Sequence, residues 1–293
     1  NREIVMDYQW YPGHMTKAMR QMKEDIKLID LVIELLDARI PISSRNPDID
    51  NLGKNKARLV LLNKSDLADE TDNNKWIQYF KDKGIIALKI NSKNKQGIKD
   101  INNAVLTVCK EKIERDKRKG IKNRPVRAMV VGIPNVGKST FINAYAGRNC
   151  AKTGNKPGVT KGKQWIKLSK TLELLDTPGI LWPKFDDEAI GMKLACVGSI
   201  SDEVLNMQEI AYHLLSYGKA NYNQLFEARY GAVPQPDDER DNEIVLWMEN
   251  IARQRGCLKR GAETDFDKVS AQITDDFRSG RIGKVSLEVP KQA

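Results

Sequence analysis

The sequence predicts an α/β domain, with a mostly parallel sheet flanked by helices, followed by an all-α domain. Buried strands alternate with amphipathic helices over most of the first 175 residues, and a glycine-rich turn joins a strand to a helix within this region. After residue 185 turn signals become sparse and helical periodicity dominates. At 293 residues the chain has room for two domains, which we place at 1–183 and 184–293.

The elements of the first domain follow from the spacing of apolar residues. Methionines and isoleucines three or four residues apart predict a helix over 15–29, and further helices are expected at 76–83, at 97–115 and from Lys138. Residues 110–127 hold nine basic and three acidic side chains, which is typical of a charged linker. The predicted strands are the apolar runs at 31–36, 58–62, 85–90 and 127–132 and a hairpin pair at 164–168 and 171–175.

Two amphipathic helices are the clearest elements of the second domain. Apolar residues recur with helical spacing over 244–251 and again over 266–277. Asp265 comes just before the second pattern, and aspartate is a favoured N-cap residue. A Pro-Gln-Pro segment at 234–236 separates these two helices from the preceding ones.

Composition narrows the class of protein. The formal net charge is +10, but residues 1–185 hold 36 basic and 20 acidic side chains, whereas residues 186–293 hold 13 and 19. The basic part favours a polyanionic partner such as nucleic acid, with a merely solvated basic surface as the alternative. The four cysteines are more than 40 residues apart and only two histidines are present. This pattern argues against a zinc ribbon or a disulfide framework and favours a reducing cytosol.

The strongest motif is found at residues 132–139, where the letters GIPNVGKS match the phosphate-binding loop pattern GxxxxGK[ST]. A predicted strand precedes it and a predicted helix follows, as this loop requires. Backbone N–H groups and the helix N-terminus are expected to hold the phosphates, with Lys138 reaching the β- and γ-phosphates and Ser139 binding Mg²⁺. The candidate phosphate-binding residues here are Pro134, Asn135, Val136, Gly137, Lys138, Ser139 and Thr140.

A second motif, NKSD at residues 63–66, ends the second buried strand and matches the guanine-reading pattern NKxD. The Asp66 carboxylate can accept from guanine N1–H and the 2-amino group together, a donor pair that adenine lacks. Lys64 is expected to lie over the base, and Asn63 to tie this loop to the phosphate loop. The letters NSK at 91–93 are similar to the Ser-Ala-Lys loop that contacts guanine O6, so Asn91 and Ser92 are further base-binding candidates, Ser92 through its N–H.

A DxxG motif is needed to sense the γ-phosphate, and the chain has two, beginning at Asp50 and Asp176. We choose Asp176, because it follows a predicted strand and lies after the phosphate loop, and we expect it to coordinate Mg²⁺ through water. The N–H of Gly179 would then contact the γ-phosphate. Thr160 is the candidate switch threonine that closes on Mg²⁺. Its surroundings, 148–170, hold seven basic and no acidic residues, which suits a phosphate contact; a solvated loop is the alternative.

The order of these motifs is unusual, because the base-reading motifs precede the phosphate loop. In an ordinary GTPase domain they follow it, so the order indicates a circularly permuted P-loop GTPase domain. Together with WYPGHM at 10–15, DARIP at 37–41 and the helical C-terminal domain, the order resembles the ribosome biogenesis GTPase A family over nearly the whole chain from Met6.

This resemblance implies a bacterial, cytoplasmic enzyme that hydrolyses GTP to GDP. It also implies a partner, a late precursor of the large ribosomal subunit with its rRNA and ribosomal proteins, bound and released under nucleotide control. Hydrolysis is expected to be slow alone and stimulated by that particle. The C-terminal domain is expected to bind RNA, by analogy of fold only.

Water activation is the least defined step. Ile180 stands where many GTPases carry a water-orienting glutamine, so another group is needed. His14 is the candidate catalytic residue, since imidazole can exchange protons near neutral pH and the family's proposed histidine falls in this segment; a helix-capping role is the alternative. Asn135 is expected to help bind K⁺, as in similar GTPases, with a turn asparagine as the alternative.

Two other classes of function are alternatives to this one. An enzyme that uses the nucleotide for a different reaction would need a second active site, which the sequence does not offer. A membrane-signalling G protein would need a lipid anchor or a membrane span, and neither is evident. We therefore expect a cytoplasmic protein without a membrane partner, and take it as a monomer, although the sequence does not define the oligomeric state.

Overall fold

The computed structural model describes residues 20–121, 124–147, 165–175, 187–236, 238 and 242–290. These residues form two compact units. The first contains the described residues up to Glu188 together with those from Glu288 onward, and the second spans Ala189–Leu287. The domain boundary expected between residues 183 and 184 lies outside the described residues.

The first unit is built on one six-stranded sheet in the order β3-β2-β1-β4-β6-β5. Neighbouring strands are parallel except for β5 and β6, which form the predicted antiparallel pair. The carboxyl ends of the parallel strands therefore share one edge, where α/β proteins bind their ligands. The strands are β1 Leu31–Asp37, β2 Ala57–Asn63, β3 Ile86–Lys89, β4 Val126–Val131, β5 Trp165–Lys167 and β6 Leu172–Leu175.

Helices cover both faces of this sheet, which explains why the central strands are mostly apolar. On one face Trp76 and Phe80 pack against Leu36 and Leu62. On the other, Met22 belongs to a cluster with residues of β1 and β4. The helices are α1 (residues 20–26), α2 Ile49–Leu52, α3 Glu70–Asp82, α4 Ile101–Val108, α5 Lys110–Arg118 and α6 Lys138–Ala146, with a 3₁₀ turn at Ile98–Asp100.

The structure corrects two expectations between β3 and β4. The single helix expected over 97–115 is interrupted at Cys109, and much of the charged linker expected over 110–127 is helical. Lys112 pairs with Asp116 one turn further along at 3.0 Å, a spacing that stabilises a helix surface. A high density of charged side chains occurs in solvent-exposed helices as well as in linkers. Composition alone therefore does not distinguish a helix from a linker here.

The second unit is helical, and both predicted amphipathic helices are present. The side chain of Asp265 accepts from Lys268 N at 3.1 Å, so it caps its helix as expected. Trp247 and Ile251 are buried on the inner face of the other predicted helix. The helices are α7 Glu188–Cys196, α8 Met207–Asn221, α9 Asn223–Tyr230, α10 Glu243–Arg255 and α11 Phe266–Arg278, with a 3₁₀ turn at Asp202–Val204. Among the described residues, no helix combines the length and the apolar composition that crossing a membrane requires.

Candidate guanine-nucleotide site

The predicted phosphate loop joins β4 to α6 at the carboxyl edge of the sheet. A Cβ at Gly132 would lie 2.8 Å from the carbonyl oxygen of Leu35, so the loop begins in close contact with β1. Gly137 has φ +98°, and a Cβ there would lie 2.5 Å from Asn63 Nδ2. Neither position has room for a side chain, so both require glycine. Gly137 is required also because its backbone is left-handed.

The helix α6 begins directly after the glycine-rich loop, as the motif predicts. Its first intrahelical hydrogen bond runs from Phe141 N to Gly137 O at 2.8 Å. The N–H groups of residues 138–140 precede that bond, and such first-turn donors attract phosphate together with the helix dipole. Lys138 and Ser139 are half-buried in this turn, whereas Thr140 is exposed.

The remaining residues of the loop shape its backbone. Val136 is buried and Pro134 is half-buried. Asn135 is exposed and has φ +60°, a conformation that asparagine tolerates better than most residues. The turn alternative for Asn135 thus has a geometric basis.

Asn63 joins three loops at the edge of the sheet. Its Nδ2 donates to Val136 O at 2.8 Å, which connects β2 to the phosphate loop. Its Oδ1 accepts from the N–H and the hydroxyl of Ser92, at 3.1 and 2.8 Å. The residue is buried, so these hydrogen bonds are shielded from water and hold the base-reading and phosphate-binding segments together.

Lys64 makes a second link between the same two loops. Its Nζ donates to Asn135 O at 2.8 Å and lies 3.2 Å from Asp37 Oδ2. Lys64 has φ +57°, and strained backbone of this kind is often found at functional sites. Asp66 follows in the same loop and is exposed.

The loop after β3 is shaped by Asn91 and joined to β2 through Ser92. Asn91 is buried, and its Oδ1 accepts from the N–H groups of Lys93 and Asn94 at 2.9 and 3.3 Å, so it shapes the loop. The N–H of Ser92 donates to Asn63, and its expected contact with guanine O6 stays a prediction. Ser92 therefore braces Asn63 in the structure.

Asp37 lies beside the candidate site and is not among the residues that the motifs predict. It ends β1 beside Asn63 in the strand register, and Arg39 donates to its carboxylate from Nε at 2.9 Å and from a terminal nitrogen at 2.8 Å. Burial raises the pKa of this carboxyl, but the charges of Arg39 and Lys64 outweigh burial and hold the pKa well below its usual range. The carboxylate is therefore ionised at neutral pH. An aspartate ending a buried strand next to the NKSD strand was the available signal.

The rejected DxxG motif has a structural role. Asp50 lies in α2, and its carboxylate is bonded by Arg45 and Arg58, both of which also contact the buried Glu34. This arrangement occupies Asp50 and favours the choice of Asp176. Five residues of the predicted mechanism lie outside the described residues: His14, Thr160, Asp176, Gly179 and Ile180.

Known proteins match this chain over nearly its full length. Residues 127–229 match the family model described as 50S ribosome-binding GTPase. Ribosome biogenesis GTPase A of Bacillus cereus is 49% identical over 287 residues, covering 98% of this chain and 95% of the relative. The protein of that name from Thermotoga maritima is 34% identical over 284 residues, covering 96% and 94%.

A solved structure agrees with these sequence matches. The crystal structure of GNP-bound YlqF from T. maritima, 29% identical, aligns with a TM-score of 0.65 over 94% of this chain and 100% of that one. The resemblance inferred from the motif order is confirmed: the chain belongs to the ribosome biogenesis GTPase A family.

Proposed function

We propose that this chain is a guanine-specific GTPase that binds a late precursor of the large ribosomal subunit and is released under nucleotide control. One observation carries the nucleotide part of this proposal: Asn63 and Lys64 of the base-reading motif both donate to backbone carbonyls of the phosphate loop. One nucleotide could therefore span both motifs. The printed names of the relatives support the ribosomal part.

Each part of the nucleotide then has a partner. Asp66 reads guanine, Lys64 lies over the base, and the N–H groups of 135–140 hold the phosphates, with Pro134 shaping the loop. Ser139 suits Mg²⁺, because a hydroxyl oxygen is a hard ligand in the first turn beside the phosphates. Thr160 and, through water, Asp176 complete the proposed metal ligands. The ion would neutralise charge that develops on the phosphates during hydrolysis.

The two predicted domains are proposed to have different functions. Residues 1–183 carry every proposed nucleotide contact, and 184–293 are proposed to contribute contacts to rRNA. The protein would bind the particle in the cytoplasm with GTP and leave it after hydrolysis. The bound nucleotide would thus determine when the protein is released. The chain is proposed to act as a monomer.

Hydrolysis is proposed to be slow alone and stimulated by the particle, with His14 positioned to activate water. The test compares GTP turnover of wild type and His14→Ala with and without purified large-subunit precursors. Loss of stimulation, with nucleotide and particle binding intact, supports His14. Unchanged stimulation removes it and places the activating group on the particle.

The chain offers a matched control for this experiment. His213, half-buried in α8 and stacked on Tyr217 at 6.4 Å, is the other histidine, and His213→Ala should leave the stimulation unchanged. If wild type itself is not stimulated by the particle, the proposed activation is wrong.

Asn135 is proposed to bind K⁺ near the phosphates, where the ion would offset negative charge in the transition state. Its left-handed conformation suits the turn alternative equally well, so hydrolysis rates decide between them. Faster turnover in K⁺ than in Na⁺ buffers, with the difference abolished in Asn135→Ala, supports ion binding. Equal rates in the two buffers remove it.

A further inference from the structure

The C-terminal segment of the first unit begins at Glu288 and makes a specific polar contact within that unit. The carboxylate of Glu288 accepts three hydrogen bonds from the turn after β1. The donors are Ile42 N at 2.7 Å, Ser43 N at 3.1 Å and Ser43 Oγ at 2.6 Å. Trp76 Nε1 also donates to the Glu288 backbone carbonyl at 3.1 Å, which holds the segment in place.

This turn continues directly into the nucleotide site. Ser44 Oγ accepts from Asp37 N at 3.1 Å and donates to Pro41 O at 3.2 Å, so it fastens the turn onto the end of β1. The Asp37 carboxylate contacts Lys64 Nζ, which in turn donates to Asn135 O. An unbroken series of contacts thus leads from Glu288 to the base-reading lysine and the phosphate loop.

Burial of the turn and the charge of the Glu288 carboxylate make these contacts strong enough to affect the position of Asp37. Ser43, Ser44 and Asp37 are all at most 2% exposed, so the turn has little freedom to rearrange around a lost partner. Hydrogen bonds to a carboxylate are stronger than those between neutral groups. If the Glu288 carboxylate were removed, the N–H groups of Ile42 and Ser43 and the Ser43 hydroxyl would lose this acceptor. The turn that positions Asp37 would then be held less firmly.

We propose that Glu288 is a positioning residue of the nucleotide site, which holds the 41–44 turn so that Asp37 keeps Lys64 in place for the base. This inference rests on the proposed binding of a guanine nucleotide between the NKSD and phosphate loops. Glu288 lies outside both the NKSD motif and the phosphate loop. If it has this role, the affinity for nucleotide depends on the segment that begins at Glu288.

The test is a double-mutant cycle on the full chain, read by the dissociation constant of a fluorescent GDP analogue. Coupling through shared contacts is typically of the order of a tenfold change in an equilibrium constant. Glu288→Ala is therefore expected to weaken GDP binding about tenfold in the wild-type background. In the Lys64→Ala background the same substitution should change the affinity little, because the residue it positions is gone.

Several variants keep the outcome interpretable. Glu263→Ala, at an exposed glutamate of the helical unit, is the control for loss of a carboxylate and should not change GDP affinity. Glu288→Gln keeps an acceptor and should have an intermediate effect. Should Glu288→Ala not fold, as judged by thermal unfolding, Glu288→Gln and Ser43→Ala serve in the same cycle.

The results separate this inference from the proposed function. Equal losses of affinity in both backgrounds would mean that Glu288 acts only on stability, and unchanged affinity would mean that it does not act on the site; either overturns the positioning role while the nucleotide site stands. Failure of the wild-type chain to bind GDP would overturn the proposed function and this inference together.

Discussion

At the scale of single residues, the side-chain amide of Asn63 occupies the space that any side chain at position 137 would need. The amide donates to Val136 O, so the same group holds the phosphate loop and excludes a Cβ from it. Glycine is required at this position of GxxxxGK for its left-handed backbone, with φ +98°. In this chain the base-reading motif contributes to that requirement as well.

Gly137→Ala should therefore weaken guanine-nucleotide binding strongly, because the new Cβ would displace Asn63 while adding backbone strain of about 1–3 kcal/mol. The measurement is GDP affinity by calorimetry. Gly147→Ala is the matched control: it lies just past the other end of α6, has φ +68° and has open space around the position of a Cβ. It should cost similar strain yet leave affinity unchanged. Equal losses of affinity in the two variants would contradict the account.

At the scale of elements, β1 carries a charged residue where its neighbours are apolar. Glu34 is buried, and both Arg45 and Arg58 contact its carboxylate. These arginines come from the segment after β1 and from β2, so one carboxylate connects the central strand with the polypeptide on either side of α2. Replacing a buried ion-pair partner leaves the remaining charges uncompensated, which is more costly than losing an exposed pair.

Glu34→Gln should lower the free energy of unfolding by about 3 kcal/mol, because two arginines would lose their buried partner. Asp50→Asn removes a carboxylate from the exposed end of the same network, where 58% of the side chain is accessible. It should cost less than about 1 kcal/mol. Urea unfolding of the two variants measures both values. A cost for Asp50→Asn equal to that of Glu34→Gln would refute this ranking.

Some of these elements and contacts could be predicted from the sequence, and others could not. The strands β1, β2 and β4 were predictable because parallel strands buried on both faces are nearly continuous apolar runs. The phosphate loop and NKSD were predictable because each is contiguous. The contact of Asp37 with Lys64 and that of Glu288 with Ser43, 245 residues away, depend on tertiary folding and leave no local pattern. Most of α5 falls within the helix expected over 97–115, but the break at Cys109 and the continuation to Arg118 leave no mark in the apolar spacing.

At the scale of the whole molecule, positive charge is concentrated in the sequence that carries the nucleotide motifs. Residues 1–185 have 16 more basic than acidic side chains, whereas residues 186–293 have six fewer. Exposed lysines and arginines along α5 contribute to this excess. Such a surface should bind RNA through its phosphates, and binding of that kind weakens as salt rises.

Binding to rRNA should therefore show a linear fall of log affinity with log salt, with about one unit of slope for each phosphate contact. Replacing Lys117 and Arg118, both exposed on α5, with glutamine should reduce the slope by about two. Lys81→Gln with Lys83→Gln removes two basic charges at the end of α3 and serves as the control. Filter binding over a salt series measures the slopes. A salt-independent complex would indicate a mainly protein partner.

The central claim is that guanine nucleotide, read by Asp66, controls binding to the large-subunit precursor. The most direct test is cosedimentation of Asp66→Asn with precursor particles, because asparagine should exchange guanine for xanthine preference: xanthine has an acceptor where guanine has the 2-amino group. Wild type should sediment with the particles in a non-hydrolysable GTP analogue and much less in GDP. The variant should require the corresponding xanthosine analogue. Equal sedimentation of the variant with either analogue, or of wild type with GTP analogue and GDP, would contradict the account.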